Sequence, residues 1–296
     1  MNVKPAWLAA IELANHRGPV LVNTSLRTRA FVRDTALAAV VRGPLAIVWH
    51  GWDPAVAEEI DHHPARFRWG LGRAHAHGVL TEVQRAALAR WGVDPAGVVS
   101  LVNPFDPASV PERRAPRPMV LFLGRWAPGK GVVELVRAFT DVAVGRPALE
   151  LVIAGDGPLR PAVLSAIGAS AARDRISLAG WVDARRRGDL LARAAVLVLP
   201  SADEAAPLAV IEALAAGVPV VGTTTGAVPS LIGDGGIAVA PGDLPALTRA
   251  LAAVVDHPPD MADAAARIGR DHTPAAAADT WLELVARAAG RYRNNP

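Results

Sequence analysis

Four charged residues in the second half of the chain have types and spacing suited to a phosphorylated, hydroxyl-bearing ligand. Two of them, Glu204 and Glu212, fall in "DEAAPLAVIEALAAGVPVV", residues 203–221, and from Ala205 to Gly233 Glu212 is the only charged residue. Pro207 suits the first turn of a helix, where its missing N–H costs little, and Gly217 followed by Pro219 suits the end of one. The spacing therefore predicts a helix over 207–216, with Leu208, Ile211 and Leu214 on its apolar face and Glu212 at the edge of that face. A buried carboxylate without donors is costly. No Arg, Lys or His lies close to it in sequence. The hydroxyls of a ligand could supply the donors; the alternative is solvent or an Arg distant in sequence. The start of such a helix, at the carboxyl end of a strand, is also a natural place for an anion.

The other two are Arg125 and Lys130 in "GRWAPGKG", residues 124–131. This stretch nearly fits the phosphate-binding pattern G-x-x-x-x-G-K-[ST], but Gly131 stands where the Mg²⁺-binding hydroxyl would be. A strand-loop-helix of this kind can still place two cations beside a diphosphate. A third stretch, "AGDGPLR" (154–160), is a glycine turn from a strand into a helix. It allows close approach of a ligand or of another backbone, or only makes the turn.

These loops need a scaffold, and the second half of the chain supplies one. Apolar runs occur at 119–124, 149–155, 176–180, 195–200, 218–223 and 236–241. Helix-length amphipathic segments lie between them, at 132–145, 158–170, 185–194, 207–216 and 244–256. The runs are continuously apolar rather than alternating, so both faces should be covered, as in a parallel sheet with helices on each side. The first half repeats the theme with strands expected at 18–25, 43–51, 78–82 and 98–104. Residues 66–77, "RFRWGLGRAHAH", read as a solvated helix leading into the strand near 79, or as a helix that meets a membrane surface or an acceptor. Residues 106–118 are rich in Pro and charge and form the best linker; 275–293 end in a helix.

Composition bounds the chemistry. The 296 residues are enough for two domains, and 51% of them are hydrophobic, which allows a large core. There is no Cys, which excludes disulfides, thiolate metal sites and Cys nucleophiles. The formal charge is +3, and Lys4 and Lys130 are the only lysines among 31 basic residues. The arginines are scattered among acids, so a nucleic-acid surface is not expected. The first 18 residues lack the apolar core and cleavage site of a signal peptide, and no uninterrupted apolar run reaches membrane-spanning length. A cytoplasmic protein is expected.

Taken in order, these motifs resemble the retaining glycosyltransferase family GT4, of GT-B fold. That family carries a G-R-x-x-x-x-K-G turn, a G-x-G-P turn, and E-x7-E followed by A-x-G-x-P-V-V. Here they are Gly124-Arg125…Lys130-Gly131, then Gly155-Asp156-Gly157-Pro158, then Glu204…Glu212 with Ala215-Ala216-Gly217-Val218-Pro219-Val220-Val221. The resemblance covers residues 119–257. It implies an α/β protein of two Rossmann-like domains whose parallel sheets face each other across a cleft. An N-terminal acceptor-side domain is expected over 1–112 and a C-terminal nucleotide-sugar domain over 113–275. A last helix, 276–296, is expected to pack back toward the first domain.

It further implies that Arg125 and Lys130 hold the donor's diphosphate, with Gly124, Gly155 and Gly157 shaping the donor loops. The backbone amides of Leu208 and Ala209 would cap the phosphate and Glu212 would bind the ribose hydroxyls. Trp181 and Val182 would lie beside the base. Glu204 would contact the donor sugar. "LAIVWHGWD" resembles the family strand that ends in a His near the acceptor, so His50 joins Glu204 as a candidate catalytic residue. No metal or other cofactor is implied; the partners are a nucleotide-sugar donor and a saccharide, lipid-linked or small-molecule acceptor. Peripheral contact with the inner membrane face is left open.

The sequence departs from the family pattern in three ways. About four strands precede the linker and no G-G turn opens the chain, which implies a shortened N-terminal domain, a partner chain that completes it, or an incomplete form of the chain. Ala206-Pro207 replaces the common Phe-Gly, and Ser230 stands where Glu is frequent. Two rival functions follow from these features: a non-catalytic nucleotide-sugar-binding or partner subunit, with no turnover or turnover only with a second chain, and a P-loop NTPase, against which Gly131 argues.

Overall fold

A computed structural model describes residues 16–106 and 117–294. The chain divides into two compact units: the residues up to Asn103 together with those from Ala275 onward, and Pro104–Pro274. The linker expected at 106–118 lies outside the described residues except for 106, 117 and 118, as do the first 15 residues of the segment read for a signal peptide.

The first unit is built on strands β1 (Val20–Leu26), β2 (Leu45–Trp52), β3 (Ala76–Val79) and β4 (Val98–Ser100), all parallel and in that order. Helices α1 (Thr28–Val40), α2 (Pro54–His62), α3 (Pro64–Trp69) and α4 (Glu82–Arg90) connect them. Alternate residues of β2 serve opposite faces, as the pleat requires. Leu45, Ile47 and Trp49 pack with Ala38, Phe67, Leu71, Leu88 and Trp91 of the connecting segments. Ala46 and Val48 pack instead with Leu284 and Ala288 of the C-terminal helix, α12 (Pro274–Asn294). The last helix in sequence thus closes the second face of the first sheet. The helix expected across 66–77 ends at Trp69; a 3₁₀ turn follows at Leu71–Arg73, and β3 begins at Ala76, two residues before the strand expected there. Gly70 and Gly72 interrupt the helical run, so the Trp69 turn cannot continue.

The second unit contains β5 (Met119–Leu123), α5 (Val132–Val142), β6 (Glu150–Ala154), α6 (Arg160–Ala169), β7 (Ile176–Gly180), α7 (Ala184–Leu191) and β8 (Val196–Leu199). These are followed by α8 (Leu208–Ala215), β9 (Val220–Thr223), α9 (Val228–Ile232), β10 (Gly236–Val239), α10 (Leu244–Asp256) and α11 (Ala262–Asp271). The sheet is parallel with order β10-β9-β8-β5-β6-β7. One face packs Leu121, Leu123, Leu197 and Leu199 against α7, α8, α9 and α11. The other packs Val120, Phe122, Val196 and Val198 against α5, α6 and α10. Continuous apolar strands therefore reflect a two-sided core. The short helices α9 and α11 lie in stretches for which the sequence suggested no helix. α9 has only five residues, and the buried face of α11 is only Ala264 and Ile268.

The order has one reversal. From β5 the chain runs through β6 to β7 on one side, then returns to lay β8 against the other side of β5. The carboxyl ends of β5 and β8 lie at that reversal, where sheets of this kind usually have their ligand crevice.

Two glycines hold the loops at that reversal. Gly131 has φ +68°, and a Cβ on it would overlap the Pro200 carbonyl oxygen at the end of β8. Gly155 has φ +124°, and a Cβ there would overlap the Gly124 carbonyl oxygen. Ala in place of Gly155 meets both an unfavourable backbone region and this collision. Gly155→Ala should lower unfolding free energy by at least about 2 kcal/mol in urea titrations. An unchanged midpoint would mean that the two loops do not interlock.

Candidate active site

The β5–α5 loop and the β6–α6 turn form one backbone lattice. The Gly124 N–H donates to the Ala154 carbonyl (3.1 Å) and the Trp126 N–H to the Asp156 carbonyl (2.9 Å); the Leu159 N–H returns to the Trp126 carbonyl (2.9 Å). Trp126 is fully buried beneath this lattice. A Cβ on Gly157 would also overlap the Trp126 carbonyl. The G-x-G turn is thus small because another backbone passes against it. Of the alternatives open in the sequence, the approach is by the 124–126 segment.

Asp156 and Arg160 form a two-pronged ion pair (Nε–Oδ1 3.0 Å, Nη2–Oδ2 2.6 Å), and the guanidinium lies 5.3 Å from the Trp126 ring centre. Above this floor an open pocket of about 470 Å³ is lined by Arg125, Asp156, Gly157, Arg160 and Trp181. Arg125 is exposed, Trp181 stands 69% exposed, and Val182 is tucked against the core.

The loop after β8 brings in the carboxylates. Lys130 Nζ donates to Glu204 Oε1 at 2.6 Å and to the Asp203 carbonyl at 3.3 Å. The Ala202 N–H donates to the Gly129 carbonyl, and the Ala227 N–H to the Ala205 carbonyl, each at 2.7 Å. Glu204 is therefore held between the loop that carries Lys130 and the turn that follows β9. Helix α8 starts at Leu208 with Pro207 as its N-cap, one residue later than the sequence placed it. Its first N–H groups, Leu208 and Ala209 among them, have no acceptor within the helix. Leu208 is half exposed, so the helix begins at the surface of the crevice.

Glu212 lies one turn further along α8 and is 7% exposed. It does have an internal partner, which sequence proximity did not reveal. Arg187 Nε on α7 sits 2.9 Å from Glu212 Oε2. The strand order puts α7 and α8 on the same face of the sheet, with Leu190, Leu191, Val210 and Ile211 in one core. That core supplies the only advance signal, since Arg187 precedes Leu190 and Leu191 by one turn. Burial still raises the Glu212 pKa; Arg187 opposes the rise and does not cancel it. An uncompensated carboxylate at this depth is suited to accepting further hydrogen bonds.

His50 belongs to the first unit, at the carboxyl end of β2. It is half-buried and faces Trp281 of α12 with ring centres 6.1 Å apart. The preceding carbonyl, Trp49, accepts from Gln84 Nε2 at 3.1 Å, which fixes the strand end. Burial lowers the His50 pKa, leaving a neutral imidazole at neutral pH.

In sum, Arg125, Gly157 and Trp181 share a pocket, and Lys130 meets Glu204 across the reversal. Leu208, Ala209 and Glu212 share a helix. Cations and free N–H groups can take a polyanion, and the two carboxylates can take hydroxyl groups. Among the described residues no three His, Asp or Glu side chains are disposed to hold a metal ion, and no helix is long and apolar enough to cross a membrane.

Comparison with known proteins bears on the family and the fold. Residues 117–257 match the family described as Glycosyl transferases group 1. Over 292 residues the chain is 30% identical to the alpha-D-kanosaminyltransferase of Streptomyces kanamyceticus, covering 93% of this chain and 73% of that protein. The structure of Anabaena HepE in complex with UDP-glucose superposes with a TM-score of 0.76 at 16% identity, over 95% of this chain and 82% of that one. A UDP complex of S. aureus TarM gives a TM-score of 0.68 at 18% identity, over 82% of this chain and 51% of that one. The chain therefore spans about half the length of TarM, and these likenesses fix its fold as GT-B. With its motif-bearing loops on the matched segment and a relative of that identity along nearly its full length, the chain belongs to the glycosyl transferases of group 1.

Proposed function

We propose that this protein transfers a sugar from a nucleoside-diphosphate sugar to a hydroxyl acceptor with retention of anomeric configuration. The observation that carries the reading is the Lys130–Glu204 pair at the strand reversal, beside a helix start that leads to a buried, under-compensated Glu212. Arg125 and Lys130 bind the diphosphate, and the N–H groups of Leu208 and Ala209 add donors at the helix start. Glu212 accepts from the ribose hydroxyls, while Trp181 and Val182 flank the base. Gly124, Gly155 and Gly157 act by holding the loops in register. UDP-glucose bound to the structurally similar HepE supports this donor class.

In the free protein Glu204 holds the Lys130 ammonium in place. When a diphosphate binds, the ammonium is shared with it, and Glu204 is left to accept from a hydroxyl of the donor sugar. As the glycosidic bond breaks, negative charge grows on the leaving diphosphate. Cations already in place stabilise that charge without reorganisation. His50, neutral in this setting, hydrogen-bonds on the acceptor side. No residue serves as a covalent nucleophile. We infer that no metal is needed, because Gly131 offers no hydroxyl and the Pro200 carbonyl fills the space where one would stand. The same feature disfavours an Mg²⁺-dependent NTPase. A relative in Streptomyces fradiae, a 2-deoxystreptamine N-acetyl-D-glucosaminyltransferase 28% identical over 84% of this chain, supports a small-molecule acceptor.

Thermal melts with UDP, GDP and ADP and their sugar conjugates, all in EDTA, test the donor site. One nucleotide at about 100 times its Kd should add about 2.7 kcal/mol of stability. Lys130→Ala should lower kcat by about 10²- to 10³-fold with that donor. Stabilisation that appears only when a divalent cation is added would overturn the metal-free reading.

Glu212 yields a second prediction. A carboxyl whose folded pKa is raised is penalised once pH exceeds its unfolded value, and the penalty is complete above the folded value. Glu212→Gln should therefore melt higher than wild type at about pH 7 and equally at about pH 4, while binding the nucleotide at least about tenfold more weakly. A lower melting point at pH 7 would assign Glu212 to the fold through Arg187 instead.

His50 gives the third. Because burial lowers its pKa, the acid limb it causes in kcat/KM should lie below 6.5 and vanish in His50→Gln. A limb at or above that value would remove His50 from the acceptor side.

A further inference from the structure

The opposite edge of the first sheet carries a cavity that sugar transfer does not use. Strands β2 and β3 are parallel, so their amino ends share the edge away from His50. Residues 41–43 and 73–75 lead into them there, joined by the last turn of α1 and the end of α12. Together they enclose about 1030 Å³, lined in part by Arg42, Arg73, His75, Arg291 and Tyr292. That volume is enough for a ligand well beyond a single phosphate.

The lining is basic and braced. It contains three guanidinium groups and no carboxylate. Asp94 pairs with Arg291 (2.8 Å), and Arg73 gives one N–H to the Ala39 carbonyl (3.3 Å), leaving most of the donors of the three forks for a ligand. Tyr292 donates its hydroxyl to the Arg42 carbonyl (2.8 Å) and presents its ring edge-on to His75 at 5.2 Å. His75 Nδ1 accepts from the Leu45 N–H (3.2 Å), and the His75 N–H donates to the Leu45 carbonyl (2.9 Å). Burial first, then Arg73 and Arg291, push the His75 pKa down, a sign of positive potential at that point. Segments far apart in sequence have thus been fastened around a cationic hollow on the edge where parallel sheets do not usually bind their substrates.

We propose that this cavity is a second anion site, which takes a multiply charged phosphate group through Arg42, Arg73 and Arg291. The group is carried either by a soluble phosphate ester or by an anionic lipid headgroup. Exposed Arg66, Arg68 and Trp69 on α3, just ahead of Arg73, make the lipid source worth a separate arm. The proposal does not depend on the donor site.

Calorimetry with inorganic pyrophosphate on an Arg125→Gln, Lys130→Ala double variant tests it, because that background removes the two cations assigned to the donor's diphosphate. One pyrophosphate should still bind, and adding Arg42→Gln or Arg73→Gln should weaken it at least about tenfold each. Both side chains are exposed, and matching circular dichroism melts would show that the fold is intact. Vesicles of phosphatidate in phosphatidylcholine provide the second arm. Sedimentation with vesicles that pyrophosphate competes away, and that Arg42→Gln abolishes, identifies a headgroup. Pyrophosphate binding without vesicle binding identifies a soluble ligand. The proposal is overturned if the background variant binds no pyrophosphate, or binds it equally with Arg42 and Arg73 replaced. UDP binding by the wild type is read separately, so either site can fail alone.

Discussion

The structure of the candidate site depends on how closely two loops can approach at one strand reversal. Where β8 lies against β5, the Pro200 carbonyl occupies the place a side chain would take at residue 131. Gly at that position lets Lys130 come within 2.6 Å of Glu204. The start of α8 and the turn after β9 lie beside that pair, while the pocket over Trp126 is set by the lattice of the β5–α5 and β6–α6 segments. The Pro200 contact leaves no room for a side chain at 131, so one steric fact fixes how the two loops meet.

Glu212 shows a different balance. Its partner Arg187 is partly solvated and only offsets the cost of burying the carboxylate. A residue selected for the fold alone at this depth would be apolar, since buried ion pairs rarely outperform hydrophobic packing. In the function proposed above, a carboxylate that is costly in the free protein and ready to accept hydrogen bonds exchanges stability for binding. Arg187 moderates the cost without filling the carboxylate's capacity, because each oxygen can accept more than one donor.

The first sheet is completed by the end of the chain. Its strands run in sequence order, so connections of one hand place α1 to α4 on one face and leave the other bare. Leu284 and Ala288 of α12 cover that face. The closure has a chemical consequence at each edge of the sheet: Trp281 faces His50 at the carboxyl ends, and Arg291 with Tyr292 walls the basic cavity at the amino ends. The helix expected at 276–296 therefore shapes two separate chemical environments.

Much of this was legible in the residues. The apolar runs from 119 to 241 each contain a strand, and Lys130, Glu204 and Glu212 stood out because turn chemistry and an isolated charge are local signals. The stretch 66–77 misled because its aromatic and basic residues outweighed Gly70 and Gly72, which end the helix. Strands buried on both faces look alike whichever neighbours they have, so periodicity could not say that β8 returns to β5. That return alone makes Lys130 meet Glu204 and puts Arg187 beside Glu212. The sequence by itself determined the strands and most of the helices of the second unit, and which residues carry charge into apolar surroundings, because these follow from contacts within a few residues. The tertiary structure alone decided who pairs with whom, because those contacts join segments whose separation leaves no periodic trace.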